Sequence, residues 1–236
     1  MGDLSRETGL PVTFTALQSP VKAMSFDDQM ANMREQNAKG ANILAQISMR
    51  GTGLILGWRT TFNPFSFKPS WAEVADLEEA AQLERLADPD FRHTLITEES
   101  VYPDSDVQIL TELMATAFTM QYELSDGFDY EPSVQQSIAY LAEQAGMSGA
   151  EYAYDLLMRD GGRGLIYFPL LNYADGNLNF LEPVLQSDDC INSLSDGGAH
   201  CGTICDAASP TFMLQHWVRD REGFKLSLIH ISEPTR

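Results

Sequence analysis

Residues 165–200 read LIYFPLLNYADGNLNFLEPVLQSDDCINSLSDGGAH. Leu165 to Leu171 is an unbroken apolar run, the pattern of a strand buried on both faces of a parallel sheet. Leu178 to Gln186 has the length of a short helix. Cys190 to Leu194 is a further strand, expected to be buried, that ends at once in Ser195, Asp196, Gly197, Gly198, Ala199 and His200. The same alternation occurs near the start. Pro11 to Gln18 (PVTFTALQ) is a β-branched and apolar run after a Gly-Leu-Pro turn, and reads as a buried strand. Ser25 opens a helix with Asp28 three residues on, and Gly40 closes it. Ile43 to Met49 is the next strand, so strand, helix and strand make a parallel βαβ unit. At least four strands alternate with helices, without internal repeat or low-complexity linker. The expected fold class is α/β, as a barrel or an open doubly wound sheet.

A long segment separates the two halves of this pattern. Ser70 and Glu73 form a capping-box pattern, and AEVADLEEAAQLERLADP is expected to make one acidic amphipathic helix that stops at Pro89. Residues 63–69 (NPFSFKP) form an aromatic-rich loop, and residues 103–120 mix strand and helix. Ser133 with Gln136, then Ser148 with Glu151, mark two helix starts, the first helix carrying Val134, Ile138, Leu141 and Ala145 and ending at Gly146. A last helix spans Ser209 to Asp220. A connection this long inside a compact domain usually carries function or covers a site.

Composition excludes several classes. The chain has 236 residues, 44% hydrophobic and 21% charged, in the range of ordinary globular proteins. Asp and Glu number 34 against 15 Lys and Arg, a formal charge of −19. Such a surface repels phosphate backbones and anionic membranes, so the expected partner is a small-molecule substrate rather than nucleic acid or membrane. Cys190, Cys201 and Cys205 are too few and too clustered for a disulfide scaffold. The opening MGDLSRETGLPV has no apolar signal core, and no run approaches the roughly 18 residues of a spanning helix. A cytoplasmic location is expected. The last eleven residues, 226–236, read LSLIHISEPTR and match codon by codon the translation of a transposon sequencing adapter. The expectation is a native segment 1–225 followed by a non-native tail.

The residues that carry chemistry follow the short strand at 190–194. In parallel α/β folds, polar groups just past the carboxyl end of a strand face the active site. Glycines 197 and 198 let the backbone turn so that Asp196 and His200 converge, and a carboxylate there can bind a metal and accept a proton from metal-bound water. The same residues equally make an ordinary Asp-Gly-Gly turn. His200, Cys201 and Cys205 supply one Cys-x3-Cys without the second pair that a structural zinc site needs, so the thiols read as small hydrophobes. His216 reads as packed beside Trp217, and His93 as solvated on a polar helix. Gly51-Thr52-Gly53 and Asp160 to Gly164 read as turns, and no Gly-x-Ser-x-Gly elbow is present.

The segments FPLLNYADGNL and INSLSDGGAHCGTICDAASPTFMLQHWVRDR, with PVTFTALQ and AQISMRGTGLILG less strongly, resemble the amidohydrolase family 3 group, which includes the N-acyl-D-amino-acid deacylases. The likeness covers most of residues 10–221. It implies strands five to eight of a TIM-like (β/α)8 barrel, with a long insertion between six and seven. It also implies a metal-dependent hydrolase acting on non-peptide amide bonds, deacylating an N-acyl-D-amino acid. By resemblance, Asp196 is metal ligand and general base and acid, and His200 lies beside the substrate. The cofactor implied is a divalent metal, zinc by expectation, whose other ligands belong to the missing N-terminal half of the barrel. Where the family has histidines after the fifth and sixth strands, this chain has Gln18 and Arg50, so a binuclear site is not expected. Arg50 stands where a guanidinium can clamp a substrate carboxylate, or else is a surface arginine after a strand. Asn172 and Tyr173 line the pocket or cap a loop. The alternative function is a non-catalytic barrel of the same kind that binds a small molecule after losing its metal chemistry. The chain by itself is expected to be inactive.

Overall fold

The computed structural model describes residues 1–20, 25–104, 108–193, 203–204 and 207–222. The described residues within 1–52, 171–193 and 207–222 form one unit, and those within 53–170 with 203–204 form a second.

In the first unit a helix α1 (Gly2–Thr8) precedes strand β1 (Val12–Thr15), helix α2 (Phe26–Ala38) and strand β2 (Ile43–Ser48). Ser25 caps α2 as its spacing predicts, its hydroxyl accepting from the Asp28 N–H. The helix buries Phe26, Met30 and Met33. Gly40, at φ 89°, supplies the left-handed turn after it. Asn37 then clamps the start of β2: its amide donates to the Ile43 carbonyl at 2.8 Å and accepts from the Ile43 N–H at 2.8 Å. That double bond carries the chain from helix to strand without an idle polar group. β1 and β2 pair in parallel, Val12 opposite Ile43, so the βαβ reading stands.

Strand β6 (Cys190–Ser193) pairs with β2 in parallel, Ala45 opposite Cys190 and Ser48 opposite Ser193, giving the order β1-β2-β6. Side chains alternate across a sheet. Val12, Phe14, Ile43, Ala45, Ile47 and Cys190 therefore share one face, and Thr13, Thr15, Leu44, Gln46, Ser48, Ile191 and Ser193 share the other. A bond from Gln46 Nε2 to Thr13 Oγ1 at 2.9 Å joins neighbours on the second face. β6 was expected to be buried, yet Ile191 is 38% exposed, because β6 stands at the edge of the sheet. The short helix read at 178–186 forms as α8 (Leu181–Leu185), and the last helix begins as α9 (Ser209–Phe212) and continues as a π-helix over Met213–Asp220.

The second unit contains β3 (Thr52–Leu56), helices α3 (Glu79–Leu86), α4 (Pro89–Thr97), α5 (Gln108–Thr116), α6 (Ile138–Ala145) and α7 (Gly149–Gly162), and strands β4 (Tyr122–Glu123) and β5 (Ile166–Leu171). The apolar run at 165–171 is buried as expected, with Ile166, Tyr167, Phe168 and Leu170 each at most 8% exposed. Its neighbours differ from those the barrel reading requires. β5 lies between β3 and β4, antiparallel to β4, whereas a seventh barrel strand would separate β2 from β6. The fold is thus mixed α/β with two open three-stranded sheets, neither closed into a barrel. Close approach explains the pairing of β5: Gly53 brings β3 against Tyr167 and the Phe168 carbonyl, where no side chain fits.

Helix boundaries also depart from local pattern in two places. The acidic stretch at 72–89 is no single helix. Asp88 accepts from the Asp90 and Phe91 N–H groups and starts α4, with Pro89 in its first turn. Ser70 is engaged by Glu98, not Glu73, and only a 3₁₀ turn forms at Pro69–Glu73. The Ser133–Gln136 capping box is present but closes a 3₁₀ turn, and Ser137 caps α6. Gly146 ends α6 and the Ser148–Glu151 box starts α7, both as read. The core here is aromatic, with Trp58 in ring contact with Phe65, Trp71 and Tyr154 at centroid distances of 5.6, 5.5 and 5.2 Å. Tyr154 donates to the Leu86 carbonyl at 2.6 Å, and burial holds its hydroxyl far above the usual phenol range.

Gly53→Ala tests the close approach of β3 and β5. A Cβ there would sit 2.6 Å from Tyr167 Cε2 and 2.7 Å from the Phe168 carbonyl oxygen. The expected cost is about 1–3 kcal/mol, read as a lower urea midpoint. An unchanged midpoint would show that β3 does not pack in this way.

Candidate functional site

Because β1, β2 and β6 are parallel, their carboxyl ends lie at one edge of the sheet. Residues beyond those ends come from three parts of the chain. Gln18 lies three residues past β1, Ser48 ends β2 with Arg50 two residues on, and Asn172 follows β5 directly. Asn172 is 0% exposed and sits at φ 60°, a left-handed conformation that Asn tolerates better than most side chains. Its N–H donates to the Gln18 carbonyl at 2.8 Å. Its Oδ1 accepts from the Gln18 N–H at 2.8 Å, and its Nδ2 reaches the Ser48 carbonyl at 3.4 Å. Gln18 in turn donates through Nε2 to Asp175 at 2.8 Å and accepts from the Ala174 N–H at 3.2 Å. On the residue after β2, Trp217 Nε1 donates to the Met49 carbonyl at 2.7 Å. Trp217 is itself 0% exposed.

The candidate residues read from sequence distribute as follows. Asp196 and His200 lie outside the described residues, as do Cys201, Cys205 and the 226–236 tail. Asn172 reaches the strand ends, but its amide is spent on the backbone of Gln18 and Ser48, so it organises the loop. Tyr173 is 1% exposed, and its carbonyl accepts from the Gly176 N–H at 3.0 Å. Arg50 is no surface arginine: it is 1% exposed. A buried guanidinium is retained only against compensating groups. His216 stacks on Phe212 at 4.6 Å and meets Trp217 edge-on, and His93 is exposed on α4.

Two residues of this edge carry no signature that pattern reading finds. The hydroxyls of Ser48 and Ser193, paired across β2 and β6, are buried without a hydrogen-bond partner among the described residues. Each idle hydroxyl costs about 1–3 kcal/mol of desolvation. The signal that finds them is strand alternation: Gln46 and Ser48 share a face that would be apolar in a filled interior.

Two clefts among the described residues of this unit lie away from this edge. One of about 530 Å³ is lined by Phe14, Met33, Gln36 and Ile43, and one of about 490 Å³ by Phe26, Met30, Arg34, Phe180 and Cys190. Both border α2. Burial, reinforced by Asp189, pushes the Cys190 thiol up, which fits a small buried hydrophobe rather than a nucleophile. Among the described residues no group of three His, Cys, Asp or Glu side chains is placed to hold a metal ion, and no helix is long and apolar enough to cross a membrane. Comparison with protein-family models, with curated proteins and with solved structures finds no match in any of the three.

Asn172→Ala removes both side-chain hydrogen bonds, from the Gln18 N–H and to the Ser48 carbonyl, and leaves a β-carbon at positive φ. The expected loss is about 2–4 kcal/mol. Asn172→Gly, which relieves the backbone while still losing the amide, should fall between wild type and alanine in chemical denaturation. Equal midpoints for all three proteins would remove Asn172 from this role.

Proposed function

We propose that the chain is part of a metal-dependent amidohydrolase barrel that deacylates an N-acyl-D-amino acid. One observation supports this reading above the others. Three parallel strands bring their carboxyl ends to a common edge, and the chain leaves that edge at Ser193, three residues before Asp196. Catalytic groups of parallel α/β folds are carried past the carboxyl ends of strands. The resemblance of residues 190–220 to the deacylases points the same way, and the open edges of the β1-β2-β6 sheet leave room for further barrel strands.

The described residues at this edge do not fit a divalent metal. Gln18 and Asn172 offer amides already committed to hydrogen bonds, Ser48 a hydroxyl, and Arg50 a cation. Metal ligands must therefore come from Asp196 and other groups outside the described residues. What the chain's own residues supply is proton transfer and substrate positioning. Asp196 takes a proton from the attacking water and returns it to the leaving amine, whose departure as an anion is otherwise the costly step. His200 lies beside the substrate, and Arg50 holds its carboxylate.

A second reading is a barrel of the same kind that binds its ligand without turnover. The hydrogen bonds that tie Gln18 to Asp175 and Ala174, at a position where the resembled family has a histidine, favour it. The test is hydrolysis of N-acetyl-D-amino acids by a reading frame that supplies the rest of the barrel. Asp196→Asn should lower the rate on the order of 10²–10⁴-fold with the fold unchanged by circular dichroism. Hydrolysis that survives the substitution undiminished defeats the mechanism, and binding without any hydrolysis selects the second reading.

A further inference from the structure

Ser48 and Ser193 are partners in the register of β2 and β6, so their side chains leave neighbouring strands on the same face. Adjacent strands run about 4.8 Å apart, and a hydroxyl reaches an acceptor at about 2.7 Å. Two hydroxyls so placed span a single carboxylate. Neither oxygen has a hydrogen-bond partner among the described residues, although both are shut off from solvent, and Ser48 is 0% exposed. Buried hydroxyls are nearly always bonded. An adjacent pair left idle at the carboxyl ends of parallel strands is a pair of donors waiting for an acceptor.

The surroundings select the charge of that acceptor. Thr13, Thr15, Leu44, Gln46 and Ile191 share the face, and none is acidic. The carbonyls nearest the pair along β2, of Ser48 and Met49, would repel an anion if bare, but they are occupied by Asn172 Nδ2 and Trp217 Nε1. Among the described residues, the acid of the adjoining network is Asp175, which accepts from Gln18 Nε2. Arg50, two residues past Ser48 and 1% exposed, adds a permanent positive charge. We infer that Ser48 and Ser193 form a subsite for the carboxylate of a small organic acid, both hydroxyls donating. In the proposed reaction this carboxylate is that of the N-acyl amino acid, an identification that rests on that reading, whereas the subsite itself does not.

The test titrates the full 236-residue chain with N-acetylglycine and with its neutral counterpart N-acetylglycinamide, by calorimetry. The acid should bind and the amide should not. Ser193→Ala, at a half-exposed edge position, should weaken binding of the acid by about tenfold, the usual worth of one hydrogen bond to a charged group. Ser48→Ala should do the same while leaving the melting temperature of the ligand-free protein unchanged or higher, since an idle buried hydroxyl contributes nothing to the free fold. Equal binding of acid and amide, no binding of the acid, or full affinity in both alanine variants would overturn the subsite. So would a ligand-free Ser48→Ala protein that melts several degrees lower, because the hydroxyl would then have a structural partner. Carboxylate binding without hydrolysis in the extended protein would leave the subsite standing and remove the hydrolase reading. Hydrolysis indifferent to both serines would do the reverse.

Discussion

Gln18 and Asn172 are 154 residues apart in the chain and exchange a reciprocal pair of hydrogen bonds, one from each N–H. Closing so long a loop carries an entropic cost that grows only slowly with length, so a few well-made bonds suffice to hold it shut. The geometry is demanding all the same. Asn172 must take a left-handed backbone, fully buried, to aim Oδ1 at Gln18 while Nδ2 reaches Ser48. Once it does, the chain after β5 is registered against the ends of both β1 and β2. The bonds from Gln18 to Asp175 and Ala174 follow from that registration. The strand-end edge is therefore a consequence of one residue that satisfies three backbone groups at once.

Much of the fold was legible because it is local. Ser25, Ser148 and Gly146 act as written, since a cap needs only residues three or four positions apart. The first βαβ unit was legible for the same reason: a short strand, a capped helix and a second strand leave few ways to pack. The partner of the 166–171 strand was not legible. An apolar run reports burial but not neighbour, and Gly53, which admits β3 against Tyr167 and Phe168, reads in sequence only as a turn residue. The capping pattern at Ser70 misled because Glu98, nearly thirty residues on, accepts from both the Ser70 hydroxyl and its N–H. At the site, Arg50 and Asn172 were found by counting past strand ends, whereas Ser48 and Ser193 are visible only once the β2–β6 register is known.

The two faces of the first sheet make different demands. Val12, Phe14, Ile43, Ala45 and Ile47 share a face with the apolar side chains of α2 nearby, in the ordinary manner of a βαβ layer. The opposite face carries Thr13, Thr15, Gln46, Ser48 and Ser193 beside Leu44 and Ile191, a set too polar to pack as the bulky aliphatic interior of a filled barrel does. Parallel sheets are normally covered on both faces. A polar face on such a sheet is stable only where its groups find partners. Gln46 and Thr13 find each other, and the idle hydroxyls fall at the carboxyl end, where parallel folds place their ligands.

Net charge sharpens the same point. At −19 the chain as a whole repels an anionic ligand, and a surface built for solubility alone would leave no reason for a guanidinium to be buried. Exposed charges are screened beyond about 8 Å at physiological ionic strength, so most of the 34 acidic residues are not felt at a given point. Inside the protein, screening is weak and a single nearby cation outweighs them. At this edge the Ser48 and Met49 carbonyls are occupied, the neighbouring described side chains of the sheet face are mostly hydroxyl or amide, and a buried guanidinium, Arg50, stands two residues past β2 in an otherwise acidic protein. That contrast arises from the placement of a few side chains at the ends of two strands, and composition alone runs against it.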